Sequence, residues 1–304
     1  MPLANACGDG ALCALDWDDT FMSHELAKNT YALEFSRPYA QVVHPKLMAP
    51  PTRTPLGDTV QDAFQEPLPM VLPSRTLDHL MMIECFFLAT LVDVANHSNR
   101  FWCLVSNASE DWLKASMRAF MPNAYRLLSF DVLPVSSSPT TVILLHLPGT
   151  NRARSAVSYI QTYVGELTRT RHQWLGRTAV ISARDAFSKT LPRKTDPMQW
   201  KVLAWRWLLE HFIPPHLQRA VSIGDQRTDA QALRVAASRQ YPCPIAIHEV
   251  LLITQGSSHD LLSVWKRLFA WWPHLWNTAY APLAGIWNVK YVPSSASPLS
   301  PPPE

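Results

Sequence analysis

Three carboxylates lie within four positions of one another near the start of the chain, in the segment ALDWDDTF. Asp16, Asp18 and Asp19 directly follow the apolar run ALCAL, which has the character of a buried strand. Acidic side chains at the end of a buried strand are costly unless they are paired or bind a ligand. A second acidic pair, Asp225 and Asp229, lies in SIGDQRTD, again behind an apolar run. The two segments together predict a site that uses carboxylates.

Short apolar runs, each followed by a polar cluster, predict five strands, at 11–17, 101–107, 178–184, 220–225 and 245–253. Helical periodicity between them predicts helices at 76–97, 109–121, 196–212 and 259–272. In the third of these helices, Asp196 has the position of an N-cap and Pro197 that of the first helical residue. Strands that alternate with helices are typical of a parallel sheet covered on both faces. The predicted fold class is therefore α/β.

This topology brings the polar ends of several strands to one edge of the sheet. Ligands of open α/β sheets bind beyond the carboxyl ends of the strands. Here those ends carry Asp16 with Asp18, Ser106, and Asp225 with Asp229. Carboxylates so close together repel one another unless a hard cation such as Mg²⁺ holds them. Mg²⁺ is therefore the cofactor that the residue pattern favours.

These segments resemble the motifs of the haloacid dehalogenase-like superfamily. The family pattern is D-x-D-x-T on one strand, Ser or Thr at the end of a second, Lys near a helix start, and G-D-x-x-x-D after a fourth strand. This chain has, in the same order, Asp16-Trp17-Asp18-Asp19-Thr20, Ser106-Asn107, Lys201 and Gly224-Asp225-Gln226-Arg227-Thr228-Asp229. The resemblance covers residues 10–22, 76–125 and 176–270. Within the superfamily, the chain is similar to uncharacterised proteins of protists and algae.

The resemblance implies a Rossmann-like three-layer sandwich with a parallel sheet of strand order 5-4-1-2-3. It also implies a Mg²⁺-dependent phosphatase, in which Asp16 is the nucleophile that forms an aspartyl-phosphate and Asp18 is the general acid and base. Mg²⁺ would be held by Asp16, the backbone carbonyl of Asp18, and Asp225. Asp229 would hold a metal-bound water or orient Lys201.

Further residues complete the site that the resemblance implies. Ser106 and Lys201 would bind the transferring phosphoryl oxygens. Thr20 and Asn107 are expected to bind substrate or to steady the loop that does so. Asp19, by contrast, is interpreted as a turn residue at the strand end.

Two of these assignments have structural alternatives. Ser106-Asn107, followed by Glu110, also fits a helix N-terminal capping signature. Lys189 and Lys194 lie near Lys201, and either could be the phosphate-binding lysine. Lys201 is preferred because it follows the helix start DPMQW.

The residue at the second Asp position of the D-x-D-x-T motif indicates which reaction the resemblance implies. Members that hydrolyse phosphate esters usually carry an acid there, and this chain has Asp18. Phosphate-monoester hydrolysis is therefore the predicted function. One alternative is a catalytically silent phosphate-binding or scaffolding protein, since Gln226 and Asp229 depart from the common GDS..E pattern. The other is a phosphomutase, which transfers phosphate to a sugar phosphate instead of water.

Composition argues against several other classes of protein. The net charge is only +3, with scattered lysines and arginines, so no nucleic-acid partner is predicted. Five cysteines without a CxxC pair indicate reduced thiols inside the cell. The most apolar stretch, 81–95, is too short for a membrane span and contains Glu84 and Asp93. The predicted location is intracellular, in the cytoplasm, with no membrane partner.

The predicted domain spans residues 10–275, and two segments within it interrupt the alternation of strands and helices. Residues 23–75 are Pro-rich and weakly periodic, which predicts a minimal or loop-like cap. Residues 129–175 are predicted to be a second insertion with a helix that ends near 169, and 276–304 are predicted to be an extension whose Pro/Ser-rich end is disordered. A small cap leaves the site accessible, so the expected partner is a phosphorylated small molecule or a phosphoprotein. The pattern predicts no oligomeric state.

Overall fold

The structure of this chain, a computed structural model, describes residues 10–23, 74–128, 151–187, 196–240, 245–254, 257–276 and 286–290. Within these ranges the strands are β1 (Gly10–Leu15), β2 (Arg100–Ser106), β3 (Thr178–Ser182), β4 (Leu217–Gly224), β5 (Ala246–Ile253) and β6 (Ile286–Lys290). The helices are α1 (Ser74–Asn96), α2 (Glu110–Phe120), α3 (Pro122–Leu128), α4 (Asn151–Arg169), α5 (Arg171–Trp174), α6 (Ala183–Phe187), α7 (Pro197–His211), α8 (Arg227–Gln240) and α9 (Ser258–Leu275).

These strands form one parallel sheet in the order β3-β2-β1-β4-β5-β6. The predicted α/β class with a parallel sheet is confirmed. The predicted order 5-4-1-2-3, counted from the other edge, gives the same neighbours for the first five strands, and the observed sheet differs by the additional edge strand β6. That strand lies in the segment predicted as a C-terminal extension. A five-residue run that contains Asn288 and Lys290 carries little strand signal by itself.

The two faces of the sheet bury two separate cores. Successive residues of a strand point to opposite faces, and β1 follows this rule. Cys13 and Leu15 pack in a core with α1 and α9, whereas Leu12 and Ala14 pack in a core with α7 and α8. Helices therefore cover both faces, as in a Rossmann-like three-layer sandwich.

Part of the predicted second insertion contributes to the first of these cores. Helix α4 ends at Arg169, in agreement with the predicted helix end. Its residues Ala156, Ile160, Val164 and Leu167 are buried in the same core as α1. They lie three or four positions apart, so they form one face of the helix.

Some predicted features fall on residues that the structure does not describe. Residues 24–73, which contain nearly all of the predicted cap, lie outside the described ranges, as do 129–150 and 291–304. Lys189 and Lys194, the alternatives to Lys201, also lie outside them. The predictions for these segments stay predictions.

Helix α1 spans 23 residues and packs against the sheet through fully buried side chains such as Phe87 and Leu88. Its apolar character is interrupted by the buried Glu84. Across the described part of the chain, none of the helices has both the length and the apolarity that a membrane crossing requires.

The carboxylate of Glu84 joins α1 to the start of α3. It accepts hydrogen bonds from the backbone N–H groups of Asn123 at 2.8 Å and Ala124 at 3.1 Å, and from the Asn123 side-chain amide at 3.1 Å. Backbone N–H groups in the first turn of a helix lack partners within the helix, so Glu84 satisfies them from outside. Burial raises the pKa of Glu84 to about 7, although these hydrogen bonds oppose the rise.

Glu84 should make stability depend on pH. Because its folded-state pKa of about 7 lies above the ordinary value of 4.5, the folded chain binds more protons than the unfolded chain between these values. Stability therefore falls as the pH rises through this window. We expect Glu84→Gln to reduce that fall by about 3 kcal/mol, since one pKa unit corresponds to about 1.4 kcal/mol.

The measurement is the free energy of unfolding in urea from about pH 4 to about pH 8. The exposed Glu210 provides the matched control, and Glu210→Gln should keep the pH dependence of the wild type. A Glu84→Gln chain whose stability curve runs parallel to that of the wild type would contradict the prediction.

Candidate active site

The ends of β1 and β4 lie side by side and carry the two acidic segments. The strands pair in parallel up to Leu15 and Ile223. Beyond that pair, the backbone N–H of Asp16 donates to the carbonyl of Ile223 at 3.0 Å. Asp225 directly follows β4, and Asp229 lies in the first turn of α8. Two segments from opposite ends of the chain thus meet at one edge of the sheet, as the topology predicts.

Asp16, Asp225 and Asp229 form a cluster of carboxylates at this edge. One oxygen from each lies within 4.8 Å of the others. Asp16 and Asp229 are buried, and Asp225 is half-buried. Burial, together with repulsion from Asp16, raises the pKa of Asp225 to about 8 and that of Asp229 to about 6. Negative charge in this cluster is therefore costly without a nearby cation.

Lys201 brings a positive charge into the cluster. Its Nζ lies 2.9 Å from Asp16 Oδ1 and also contacts Asp229 Oδ1. Burial of the ammonium opposes its charge, but the carboxylates of Asp16 and Asp229 outweigh this and raise the pKa of Lys201 above its usual value. Lys201 lies on α7, which begins at the predicted N-cap, Asp196. Among the three candidate lysines, Lys201 is the one that the structure describes, and it is in the site.

The donor set fits a hard divalent cation. Oxygen is the ligand atom that Mg²⁺ prefers, and the three clustered side chains offer carboxylate oxygens. Within the described ranges, Lys201 is the cation that acts on the carboxyl groups of Asp18, Asp225 and Asp229, and one ammonium does not offset the charge of four carboxylates. The side chain of Asp18 is not part of the three-membered cluster. The prediction of an acidic cluster that could hold a metal ion is confirmed at this level.

Asp18 lies beside the cluster and is held from helix α2. Trp112 Nε1 donates a hydrogen bond to Asp18 Oδ1 at 2.9 Å. Burial and the charge of Asp16 raise the pKa of Asp18 to about 7, and the hydrogen bond from Trp112 opposes this rise. A carboxyl group that titrates near neutral pH suits general acid–base chemistry. The next residue, Asp19, has a φ of 52°, a left-handed turn conformation that agrees with its interpretation as a turn residue.

Gly224 makes room for the carboxylate of Asp229. A Cβ atom at position 224 would lie 2.0 Å from Asp229 Oδ2. That oxygen also accepts a hydrogen bond from the backbone N–H of Gln226 at 3.3 Å, while Oδ1 contacts Lys201. The G-D-x-x-x-D motif already contains Gly224, but the sequence does not show why glycine is needed there, because the contact depends on how the first turn of α8 lies against the end of β4.

The loop after β2 places Ser106 and Asn107 at the same edge, on the strand next to β1. Ser106 is buried, and its Oγ accepts a hydrogen bond from the N–H of Ala108 at 3.1 Å. Asn107 Oδ1 is buried and has no hydrogen-bond partner within the described ranges. The capping interpretation of Ser106 and Asn107 is wrong. The N-cap of α2 is Ser109, whose Oγ accepts from the N–H of Trp112, because the helix begins one residue after Ser109.

Two residues at the end of β3 fix this loop. Ser182 Oγ donates to the carbonyl of Ala108 at 2.7 Å, and Asp185 accepts a hydrogen bond from the N–H of Glu110 at 2.6 Å. No local pattern in the sequence singled out Ser182 or Asp185, since their partners lie 74 and 75 positions away. Arg184 lies between these two residues in the sequence and is half exposed, and its Nε is 3.7 Å from Asp185 Oδ1.

Thr20 lies beneath the other residues of the segment 16–21 that follows β1 and carries Asp16, Asp18 and Asp19, called the acidic loop below. The residue is fully buried, and its carbonyl accepts a hydrogen bond from Trp265 Nε1 at 2.6 Å. Its hydroxyl has no hydrogen-bond partner among the residues that are described. The burial of Thr20 and the hydrogen bond to its carbonyl agree with a role in steadying the loop, and its expected contact with substrate stays a prediction.

Comparisons with known proteins give no match. No protein-family model matches the chain, and no curated protein and no solved structure does so.

The close contact at Gly224 predicts the effect of adding one methyl group. We expect Gly224→Ala to lower the free energy of unfolding by about 1–3 kcal/mol, because the new Cβ displaces Asp229. Mg²⁺ should then raise the midpoint of thermal unfolding less than it does in the wild type, since the cluster has lost one carboxylate.

The matched control is Gly165→Ala in α4, where no atom lies within 4 Å of the added Cβ. Alanine inside a helix should stabilise the chain by up to about 1 kcal/mol. Thermal unfolding with and without Mg²⁺ measures both variants. A Gly224→Ala chain that matches the wild type in stability and in its response to Mg²⁺ would show that the contact is unimportant.

Proposed function

We propose that this protein is a Mg²⁺-dependent phosphate-monoester hydrolase that acts through an aspartyl-phosphate, in the manner of the haloacid dehalogenase-like superfamily. The observation that carries the proposal is the cluster of Asp16, Asp225 and Asp229 at the ends of β1 and β4, in which the ammonium of Lys201 contacts Asp16 and Asp229. Its position supports the proposal, because this edge of an α/β sheet is where ligands bind. Its composition supports it too, since a carboxylate nucleophile and cationic charge are what phosphoryl transfer to an aspartate requires.

The carboxylates of Asp16, Asp225 and Asp229 and the backbone carbonyl of Asp18 would hold Mg²⁺. When bound, Mg²⁺ supplies positive charge that offsets the carboxylates and the phosphate oxygens. Two observations support this fit. The donors are oxygens. Burial and repulsion from Asp16 raise the pKa of Asp225 and of Asp229, so negative charge on these carboxylates is costly without a further cation.

Two carboxyl groups carry out the proposed reaction, Asp16 as the nucleophile and Asp18 as the general acid and base. Asp16 forms a bond to phosphorus while the bond from phosphorus to the leaving oxygen breaks, and Asp18 gives a proton to that oxygen. Asp18, now a carboxylate, takes a proton from a water molecule whose oxygen attacks the phosphorus of the aspartyl-phosphate, while the bond between phosphorus and the Asp16 oxygen breaks. Inorganic phosphate leaves, and both carboxyl groups return to their initial states.

Lys201, Ser106 and Asn107 would bind the phosphoryl oxygens. Lys201 keeps its charge at neutral pH, and its Nζ is 2.9 Å from Asp16 Oδ1, so it lies next to the group that becomes phosphorylated. Ser106 ends the neighbouring strand β2 and Asn107 follows it. The hydroxyl of Ser106 and the side-chain NH2 group of Asn107 are the donors through which they would bind phosphoryl oxygens. Charge and dipoles aimed at the phosphate stabilise the charge of the transition state.

The proposed substrates are phosphorylated small molecules or phosphoproteins. A net charge of +3 with dispersed basic residues gives no support to a nucleic-acid substrate. A cytoplasmic site of action remains the expectation from the cysteine pattern.

Removal of the nucleophile is the direct test. We expect Mg²⁺-dependent hydrolysis of p-nitrophenyl phosphate or of a member of a phosphometabolite panel, and a loss of at least about 1,000-fold in kcat in Asp16→Asn. Asp111→Asn, at an exposed position on α2, is the matched control and should keep wild-type turnover. Release of inorganic phosphate is measured with Mg²⁺ and after its removal by a chelator.

Two outcomes would contradict the proposal. A folded wild type that binds Mg²⁺ but hydrolyses no panel member would favour the phosphate-binding or scaffolding alternative. Transfer of phosphate to a second sugar phosphate, without release of inorganic phosphate, would favour the phosphomutase.

The acid role of Asp18 predicts a dependence on the leaving group. A p-nitrophenolate leaves without a proton, whereas an alkoxide needs one. We expect Asp18→Asn to lower kcat/KM by about 100-fold for an alkyl phosphate such as glycerol phosphate and by less than about 10-fold for p-nitrophenyl phosphate. Equal losses for the two substrates would exclude proton transfer from Asp18 to the leaving oxygen.

A further inference from the structure

Two tryptophans interlock the acidic loop with helix α2. Trp17, which lies between Asp16 and Asp18, donates from Nε1 to Ser116 Oγ at 2.9 Å. Ser116 Oγ donates in turn to the carbonyl of Trp112 at 2.6 Å. Trp112 Nε1 then donates back to Asp18 Oδ1 at 2.9 Å. Hydrogen bonds therefore run from the loop to the helix and from the helix to the loop.

This network has little freedom to rearrange. Trp17 and Ser116 are fully buried, and Trp112 is 7% exposed. A buried indole N–H is costly without an acceptor, so each tryptophan retains its partner. The first turn of α2 is also fixed, since Ser109 Oγ accepts from the N–H of Trp112 at 3.2 Å.

The hydrogen bond from Trp112 makes the two oxygens of Asp18 different. A terminal carboxyl group rotates over a broad range, and its oxygens would otherwise exchange roles. The indole N–H is a donor only, so Oδ1 is its acceptor and Oδ2 is left to serve the substrate. General acid catalysis requires the acid to lie within hydrogen-bond reach of the leaving oxygen.

We propose that Trp112 is a positioning residue for proton transfer: it holds Asp18 Oδ1, so that Oδ2 gives the proton to the leaving oxygen and later takes one from water. The inference rests on the proposed function, because it requires Asp18 to act as the general acid and base. Trp112 acts through Asp18 and makes no contact with substrate in this role.

The test compares the full-length wild type with Trp112→Phe, which keeps an aromatic ring and removes the N–H. We expect kcat/KM to fall about tenfold for glycerol phosphate and less than about twofold for p-nitrophenyl phosphate, because only the first leaving group needs a proton. Trp207→Phe is the matched control, since Trp207 is 46% exposed on α7, and both rates should stay at the wild-type level.

A double-mutant cycle separates positioning from general structural support. In an Asp18→Asn background, Trp112→Phe should cause no further loss of selectivity between the two substrates, since Trp112 acts through Asp18. Equal losses for both substrates, or a tenfold loss that persists in Asp18→Asn, would indicate a merely structural role and overturn the proposal. No loss in Trp112→Phe would overturn it as well.

A second variant covers the case in which Trp112→Phe does not fold. Ser116→Ala keeps Trp112 and removes the oxygen that links Trp17 to the carbonyl of Trp112, which lowers stability because the Trp17 N–H loses its acceptor. In the folded variant, kcat/KM should fall about threefold for glycerol phosphate and stay unchanged for p-nitrophenyl phosphate. A wild type without turnover overturns both the proposed function and this inference. Turnover that Asp16→Asn abolishes, with both variants unchanged in selectivity, overturns the inference alone.

Discussion

The negative charge concentrated at the ends of β1 and β4 is the main constraint on the structure around it, because this charge must be compensated. Asp16 and Asp229 are buried, and like charges in a medium of low dielectric constant repel one another strongly. Lys201 on α7 relieves part of this repulsion, yet a buried ammonium is itself costly unless it is paired. The charged forms of Asp16, Asp229 and Lys201 are therefore stable in this buried site only when all three groups are present. Burial, together with repulsion from Asp16 and Asp229, raises the pKa of Asp225, so a divalent cation has a physical reason to bind here.

The charges are positioned mainly by backbone. Asp16 is fixed where its N–H donates to the carbonyl of Ile223, which continues the pairing of β1 with β4 for one more residue. Asp229 is fixed by the first turn of α8, and it fits there because Gly224 has no side chain. Asp19 turns the chain away with a positive φ, which an aspartate tolerates better than most residues. The backbone therefore determines the positions of these carboxylates more than the choice of side-chain rotamer does.

Aromatic packing supports the acidic loop from below. Trp17 lies between Asp16 and Asp18, Phe21 follows Thr20, and both aromatic side chains are fully buried. Phe21 stacks on Trp265 at a centroid distance of 4.4 Å and meets Phe87 edge-on at 4.8 Å. Trp265 also donates from Nε1 to the carbonyl of Thr20. The loop therefore presents carboxylates on one side and a packed aromatic cluster on the other, which joins the site to helices α1 and α9.

Short-range patterns were enough to predict the strands of the sheet except β6, the cap of α7 at Asp196, and the meeting of the two acidic segments. Each of these depends on neighbours in the sequence or on the general topology of parallel sheets. Other features depend on packing between distant segments. The hydrogen bond from Trp112 to Asp18 spans 94 positions, and the helical pattern shows Trp112 only as one more apolar residue. The need for glycine at position 224 likewise comes from a contact with Asp229 that the sequence does not reveal. Local sequence patterns determine which helices and strands form, but the packing of these elements decides which atoms touch.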